Sequence, residues 1–322
     1  MVRTLFASSI LIFMLSAATA LAGYRVRAVQ INSDSFVVLK DVAGFYGLSY
    51  KVDDKDISLS SKAHNLRMIL DRRESRINGV LFNLSVAPQL WNRVVVISET
   101  DFRVLLDPIL RPQSIPRGRI KTIVIDPGHG GNDQGTAGRN SLEKDLTYRL
   151  ARRVADLLRQ QGFTVTLTRS GDRTLTLDQR VMIADHLNAD LFLSLHANSA
   201  SDHEVNGIET FLVAPQGTAS TYDQKAWKSP KRGNQFDREN SRLAFDLHRN
   251  LLIATHAVDR GIKHANFLVL RDAPCPAILM EIGFMSHTSE ERQLNTTAYQ
   301  DCLAAGIAAG VQSYQRIVSP KR

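Results

Sequence analysis

The chain has 322 residues, 43% of them hydrophobic and 22% charged, which is room for two hydrophobic cores and excludes a wholly disordered polymer. Forty Lys and Arg against 32 Asp and Glu leave a formal charge of +8, which suits a polyanionic neighbour: nucleic acid, anionic lipid or an acidic wall polymer. Two cysteines, Cys275 and Cys302, exclude both a disulfide scaffold and a four-cysteine zinc site; they are either paired or free thiols.

Residues 1–22 carry Arg3, an apolar run from Ile10 to Leu15, and Ala20-Leu21-Ala22. This is the pattern of a signal peptide cut after Ala22, its apolar core being short for an anchor. No later segment reaches the roughly 20 apolar residues of a transmembrane helix. The expected mature chain is exported to the periplasm or cell envelope, or secreted, and has no stable membrane span. Export also leaves nucleic acid without a claim on the charge, so none is expected as a partner.

Residues 23–110 read as a small β-rich module. Its strands are predicted at Val26–Ile31, Phe36–Leu39, Ile57–Leu59, Leu66–Leu70, Val80–Leu84 and Val94–Ile97, with one helix over Lys40–Tyr46. It gathers no cluster of His, Cys or acids. Residues 111–119, RPQSIPRGR, are Pro-rich and basic, the composition of a linker.

From residue 120 to 317 the period changes. Strands are predicted at Lys121–Asp126, Thr164–Thr168, Leu191–Leu195, Ile208–Val213, Phe267–Leu270 and Ile278–Ile282. Helices are predicted over 141–161, 177–187, 241–255 and 299–316. This alternation predicts an α/β domain with a largely parallel sheet and helices on both faces, whose ligands bind at the carboxyl ends of the strands. Residues 215–239 interrupt it with a polar insertion holding Trp227 and several Lys and Arg; its Gly, Pro and Ser content disfavours a stable helix.

Four polar groups gather at those strand ends. IVID runs into His129 within IDPGHGG, LFLSL into His196 within SLHANS, and AILM into Glu281. Glu143 lies in the first turn of the helix that leaves the same edge. A loop histidine or a first-turn acid alone has a structural explanation. An acid inside AILMEIGF does not, because burying an unpaired charge is costly. Gly128, Gly130 and Gly131 around His129 suggest backbone cleared around an imidazole. Two imidazoles and one carboxylate form a catalytic zinc set with an open fourth position, and a further carboxylate outside it can act as general base. Glu209, in GIETFLV, can face either side of its strand.

IDPGHGG, LEKDLTYRLA, LFLSLHANS with GIETFLV, and DRGIKHANFLVLRDAPCPAILMEIGFMSH, in that order, resemble the zinc-dependent N-acetylmuramoyl-L-alanine amidases of bacterial cell-wall turnover. The resemblance implies a peptidoglycan substrate, one Zn2+ ion held by His129, Glu143 and His196, and Glu281 as catalytic acid/base. It makes Asp126 and Asn198 candidates for orienting the ligands or capping turns. The N-terminal module faintly resembles the envelope domains named after the N-terminal domain of copper amine oxidase, which implies wall binding or contact with an envelope activator. The alternatives are another zinc-dependent wall peptidase and a non-catalytic wall-binding protein.

Overall fold

In the computed structural model the described residues are 25–222, 226–227 and 229–319. The expected signal peptide, residues 1–22, lies outside them. The chain divides into two compact units, Met1–Leu110 and Arg111–Arg322.

The first unit is β-rich. Its elements are β1 (Ala28–Ile31), β2 (Asp34–Val38), α1 (Leu39–Phe45), β3 (Ser49–Asp53), β4 (Asp56–Ser60), β5 (Asn65–Ile69), β6 (Glu74–Ile77), β7 (Val80–Asn83), β8 (Gln89–Trp91), β9 (Val94–Ser98) and the short α2 (Asp107–Leu110). Strands β1, β2, β9 and β8 form one antiparallel sheet, and β3 to β7 run as an antiparallel meander. Cross-strand pairs Ile57 with Met68, Leu59 with Leu66, and Leu66 with Ile77 line its buried face. Strands β3, β6 and β8 are additional to the expected ones. The burial of β3 has no alternation to read, and β6 exposes Glu74 and Arg76 between its buried residues.

The second unit contains β10 (Thr122–Pro127), α3 (Glu143–Gln160), β11 (Thr164–Leu167), α4 (Leu177–His186), β12 (Leu191–Asn198), β13 (Ile208–Val213), α5 (Asp237–Thr255), β14 (Asp259–Ala265), α6 (Leu268–Arg271), β15 (Ala277–Phe284), α7 (Thr288–Leu294) and α8 (Thr297–Val318). The sheet order is β11-β10-β12-β15-β13-β14, and every junction is parallel except β13 against β15. This is the expected α/β class. Helix α3 forms because Leu146, Leu150, Val154 and Leu158 recur on one buried stripe. It packs on β10, β11 and β12, while α5 packs on β13, β14 and β15, and α8 lies against both helices. The opposite face is covered by α4 and α6, whose Val181, Ala184, Val269 and Leu270 meet Val124, Phe192, Phe211 and Leu279 of the sheet.

One expectation is corrected. Phe267–Leu270 is not a strand: Leu268–Arg271 is helical, and the strand lies earlier, at Asp259–Ala265. A four-residue apolar run does not distinguish strand from buried helix turn, and β14 hides behind Arg260 and Lys263, whose charges are paired inside the fold. Helix α7 is also additional to the reading, its start fixed by the His287 ring accepting from Glu290 N–H.

The residues before β10 belong to the second unit through hydrogen bonds: Gly118 N–H donates to Val318 O at 2.8 Å, and Arg238 donates to Ser114 Oγ at 2.7 Å. Across the sheet, His196 of β12 stands beside Glu281 of β15, and Glu281 beside Glu209 of β13. Side chains of one register row share a face. All three therefore face the α4 and α6 side.

Candidate metal centre

Strand β10 ends in Pro127, and the chain then turns sharply through His129, Gly130 and Gly131 at φ +61°, +130° and +61°. This brings His129 over the first turn of α3. Glu143 opens that helix and is 3% exposed. His129 Nε2 lies 3.1 Å from Glu143 Oε1, and His196 Nδ1 lies 2.9 Å from the same oxygen. One ligand atom from each of the three lies within 4.8 Å of the others. The imidazole rings meet edge to face with centroids 4.9 Å apart.

Backbone donors fix the carboxylate between them: Thr136 N–H donates to Oε2 at 2.8 Å and Ala197 N–H to Oε1 at 3.0 Å. Burial pushes the Glu143 pKa up, but the hydrogen bonds and charge of the two imidazoles outweigh it and hold the group well below the usual carboxylate range. Burial lowers the His129 pKa, while Glu143 and Asp133 raise it further, to a net upward shift.

The glycines clear space here differently from the sequence reading. A Cβ at Gly128 would lie 2.3 Å from Cε1 of His196, and one at Gly135 would lie 2.5 Å from Cδ2 of His129 and 2.6 Å from Oε2 of Glu143. Gly130 and Gly131 instead admit Arg169, Arg173 and Thr174. The cradle thus consists of two nitrogen donors and one ionised oxygen donor, converging where only hydrogen fits on the flanking backbone. That set fits zinc, whose catalytic sites use three such ligands and an open position.

Asp133 is the partner that sequence reasoning missed. Its Oδ2 lies 2.8 Å from His129 Nδ1, the ring nitrogen facing away from Glu143. Such a carboxylate fixes the ring and its tautomer. The available signal was an acid four residues beyond a loop histidine.

Asp126 is 1% exposed, and among the described residues its hydrogen-bond partners include neither imidazole. It accepts from Arg180 Nη1 at 2.7 Å, Thr168 Oγ1 at 2.6 Å and Ser194 Oγ at 2.9 Å. Asn198 donates to Glu209 Oε2 at 3.4 Å and accepts from Ser199 N–H.

Glu209 itself, 1% exposed, is matched by Lys263 Nζ at 2.6 Å and Arg260 Nε at 2.9 Å. Glu281 differs. Its Oε2 is sealed from solvent and accepts no hydrogen bond among the described residues. Burial first, then the nearby charges of Glu143 and Glu209, raise its pKa well above the ordinary range.

These groups open on a cleft of about 450 Å³. His129, His196 and Glu281 line one side, and Leu175, Leu177 and Phe267 form an apolar wall. A larger hollow, about 660 Å³, lies in the first unit and contains none of these groups. Cys275 is buried and Cys302 exposed, both free. No helix of the described residues is long and apolar enough to cross a membrane.

A mixed α/β sheet with a His, Glu, His cradle and a lone carboxylate at its strand ends defines a hydrolase of the metal-assisted kind. Residues 123–313 match the family described as N-acetylmuramoyl-L-alanine amidase, and the chain belongs to that family. It is 32% identical over 229 residues to N-acetylmuramoyl-L-alanine amidase AmiA of Escherichia coli K12, covering 63% of this chain and 79% of that one. It is 35% identical over 195 residues to the uncharacterized protein YqiI of Bacillus subtilis, covering 60% and 84%. Among solved structures, the catalytic domain of the amidase CwlV from Bacillus (Paenibacillus) polymyxa superposes with a TM-score of 0.52 at 34% identity, over 62% of this chain and 99% of that one. The expected family, fold class and enzyme class are borne out, and the chain is a peptidoglycan hydrolase.

Proposed function

We propose that this amidase hydrolyses the bond between the lactyl group of N-acetylmuramic acid and L-alanine with one zinc ion held by His129, Glu143 and His196, and with Glu281 as acid and base. The observation that carries the reading is the distribution of donors among four carboxylates at one sheet edge. Glu143 is saturated by two imidazoles and two backbone N–H groups. Asp126 and Glu209 are matched by arginine, lysine or hydroxyl donors. Glu281 alone keeps an oxygen uncommitted. A carboxylate locked in hydrogen bonds is poorly placed to move a proton; a free one on the cleft wall is well placed.

Zinc, when bound, supplies Lewis acidity, polarising the amide carbonyl and bringing a water's pKa towards ~7. Glu281 accepts the proton of the attacking water as the new C–O bond forms. It returns that proton to the alanine nitrogen as the C–N bond breaks, and the second proton of the water also passes to the amine, leaving a lactyl carboxylate and an ammonium group. Asp133 holds the His129 ring through Nδ1, and Asp126 bears on the same loop only through Arg180, which donates to both Asp126 Oδ1 and His129 O.

The signal-peptide pattern of residues 1–22 supports export, and wall hydrolysis requires it. The separate β-rich unit before Arg111 supports a division into a wall- or activator-binding module and a catalytic domain over 120–317, with residues 111–119 leading into the latter and hydrogen-bonded to it. A relative, the CwlD amidase of Clostridioides difficile, has been solved in complex with the GerS lipoprotein. Digestion of purified wall tests the reaction: intact stem peptides should be freed from glycan, with one zinc per chain in the purified enzyme. Shortened peptides with muramic acid still substituted would overturn it.

A further inference from the structure

Where β10 ends, its carbonyls lose their ladder partners and still require donors. Three consecutive ones, of Pro127, Gly128 and His129, accept from buried guanidinium groups. Arg169 donates from Nε to Pro127 O and from Nη2 to Gly128 O, each at 3.1 Å. Arg180 reaches in from α4 and donates from Nη1 to Pro127 O at 2.9 Å and from Nη2 to His129 O at 2.8 Å. It is 3% exposed, and its Nη1 is anchored on Asp126. The backbone so held is unfavourable for an L side chain, since His129 lies at φ +61°.

We infer that Arg180 is the positioning residue of His129: anchored on Asp126, it holds the left-handed backbone that delivers the imidazole to Glu143 and His196. The inference rests on the zinc reading above. Arg180 makes no hydrogen bond to either imidazole or to Glu143, so it acts through the His129 carbonyl. Thr168 and Ser194 also donate to the Asp126 carboxylate. Loss of the guanidinium removes the donor to His129 O and also leaves the buried Asp126 without its ion-pair partner, which is why zinc affinity and loop exchange are read beside the fold. Helix α4 is itself fixed by a capping box between Thr176 and Gln179, and Arg180 follows one turn in. Leu177 of the same helix lines the cleft, so one helix sets both the apolar wall and the metal loop.

The test is zinc affinity of the full chain, measured by competition with a chromophoric chelator, together with amide hydrogen exchange over residues 128–131. Arg180→Met should weaken zinc binding about 10- to 100-fold, the effect typical of losing a group that orients a ligand. Exchange in the loop should accelerate while far-UV circular dichroism stays unchanged. Arg180→Lys should recover part of the affinity, since an ammonium can meet one of the acceptors. Wild-type affinity within threefold and unchanged exchange in Arg180→Met would overturn the inference. If that variant does not fold, Asp126→Asn and Arg180→Lys decide, and unchanged affinity and exchange in both overturn it. A wild-type chain that binds no zinc refutes the zinc reading itself; exchange then decides the clamp alone, and its failure to accelerate overturns it.

Discussion

Gly128→Ala adds one carbon atom and leaves no room for it. Gly128 is not in the positive-φ region, so alanine meets no backbone penalty there. Its Cβ would stand 2.3 Å from Cε1 and 2.6 Å from both ring nitrogens of His196. Ordinary contact begins about 1 Å further out, and the imidazole is the group able to give way, since Gly128 is fixed by its N–H to Leu195 O at 2.9 Å. Metal–ligand distances tolerate only about 0.2 Å, so a ring moved by roughly 1 Å no longer serves as a ligand. The overpacking should cost about 1–3 kcal/mol of stability. The catalytic cost should be larger, since misplacement by about 1 Å commonly loses ~100-fold in rate. Zinc content by mass spectrometry, thermal melting and kcat/KM for stem-peptide release give the three readouts. Gly118→Ala is the control, with nothing within 4 Å of its Cβ, and should match wild type in all three. A Gly128→Ala enzyme with full zinc and activity within threefold of wild type would refute the reasoning.

Glu281→Gln keeps the shape of the side chain and should lower kcat by about 10²–10⁴-fold while one zinc per chain remains; substantial residual turnover removes Glu281 from the acid/base role. Asp133→Ala frees His129 Nδ1 from its 2.8 Å partner and should weaken zinc binding about 10- to 100-fold in chelator competition. In the first unit, burial raises the Asp101 pKa to about 6 against opposing hydrogen bonds from Ser85 and Val86. The folded-state value exceeds the unfolded one, so this stability contribution is full below about pH 4 and lost as pH rises through about 6, on the order of 3 kcal/mol in all. Carboxyl-carbon NMR should show Asp101 titrating near 6, and a midpoint below 4 contradicts that account.

Of the proposed site, His129, His196 and Glu281 were legible because each stands where an apolar run stops, and a parallel sheet sends those stops to one edge; Glu143 was legible only as an acid in the first turn of the helix leaving that edge. Their partners were not. Asp133 reaches His129 only because three successive positive φ angles turn the loop back on itself, and nothing in GHGGND fixes those angles. Arg180 sits on α4, where a charged residue reads as surface; its burial follows from acceptors contributed by β10. Asn198 is two residues from His196 in the chain. A shift of register between His196 and Asn198 breaks the alternation and places Asn198 against Glu209. Spacing along the strand does not reveal such a contact, because a bulge changes which side chains meet.

Glu209 shows what strand direction adds. It is the second residue of β13, whereas Glu281 is the fifth of eight in β15. In a sheet parallel throughout, a carboxylate so early in its strand would lie towards the amino edge, away from the strand-end chemistry. The antiparallel junction between β13 and β15 reverses this and sets Glu209 directly opposite Glu281. Two neighbouring buried carboxylates repel, and β14, parallel to β13, brings Arg260 and Lys263 to one of them only. Glu209 is thereby committed to two cationic partners, and Glu281 is left with an oxygen that accepts no hydrogen bond among the described residues. The antiparallel pairing of β13 with β15 therefore distinguishes the two acids, and neither residue's own sequence neighbourhood could have done so.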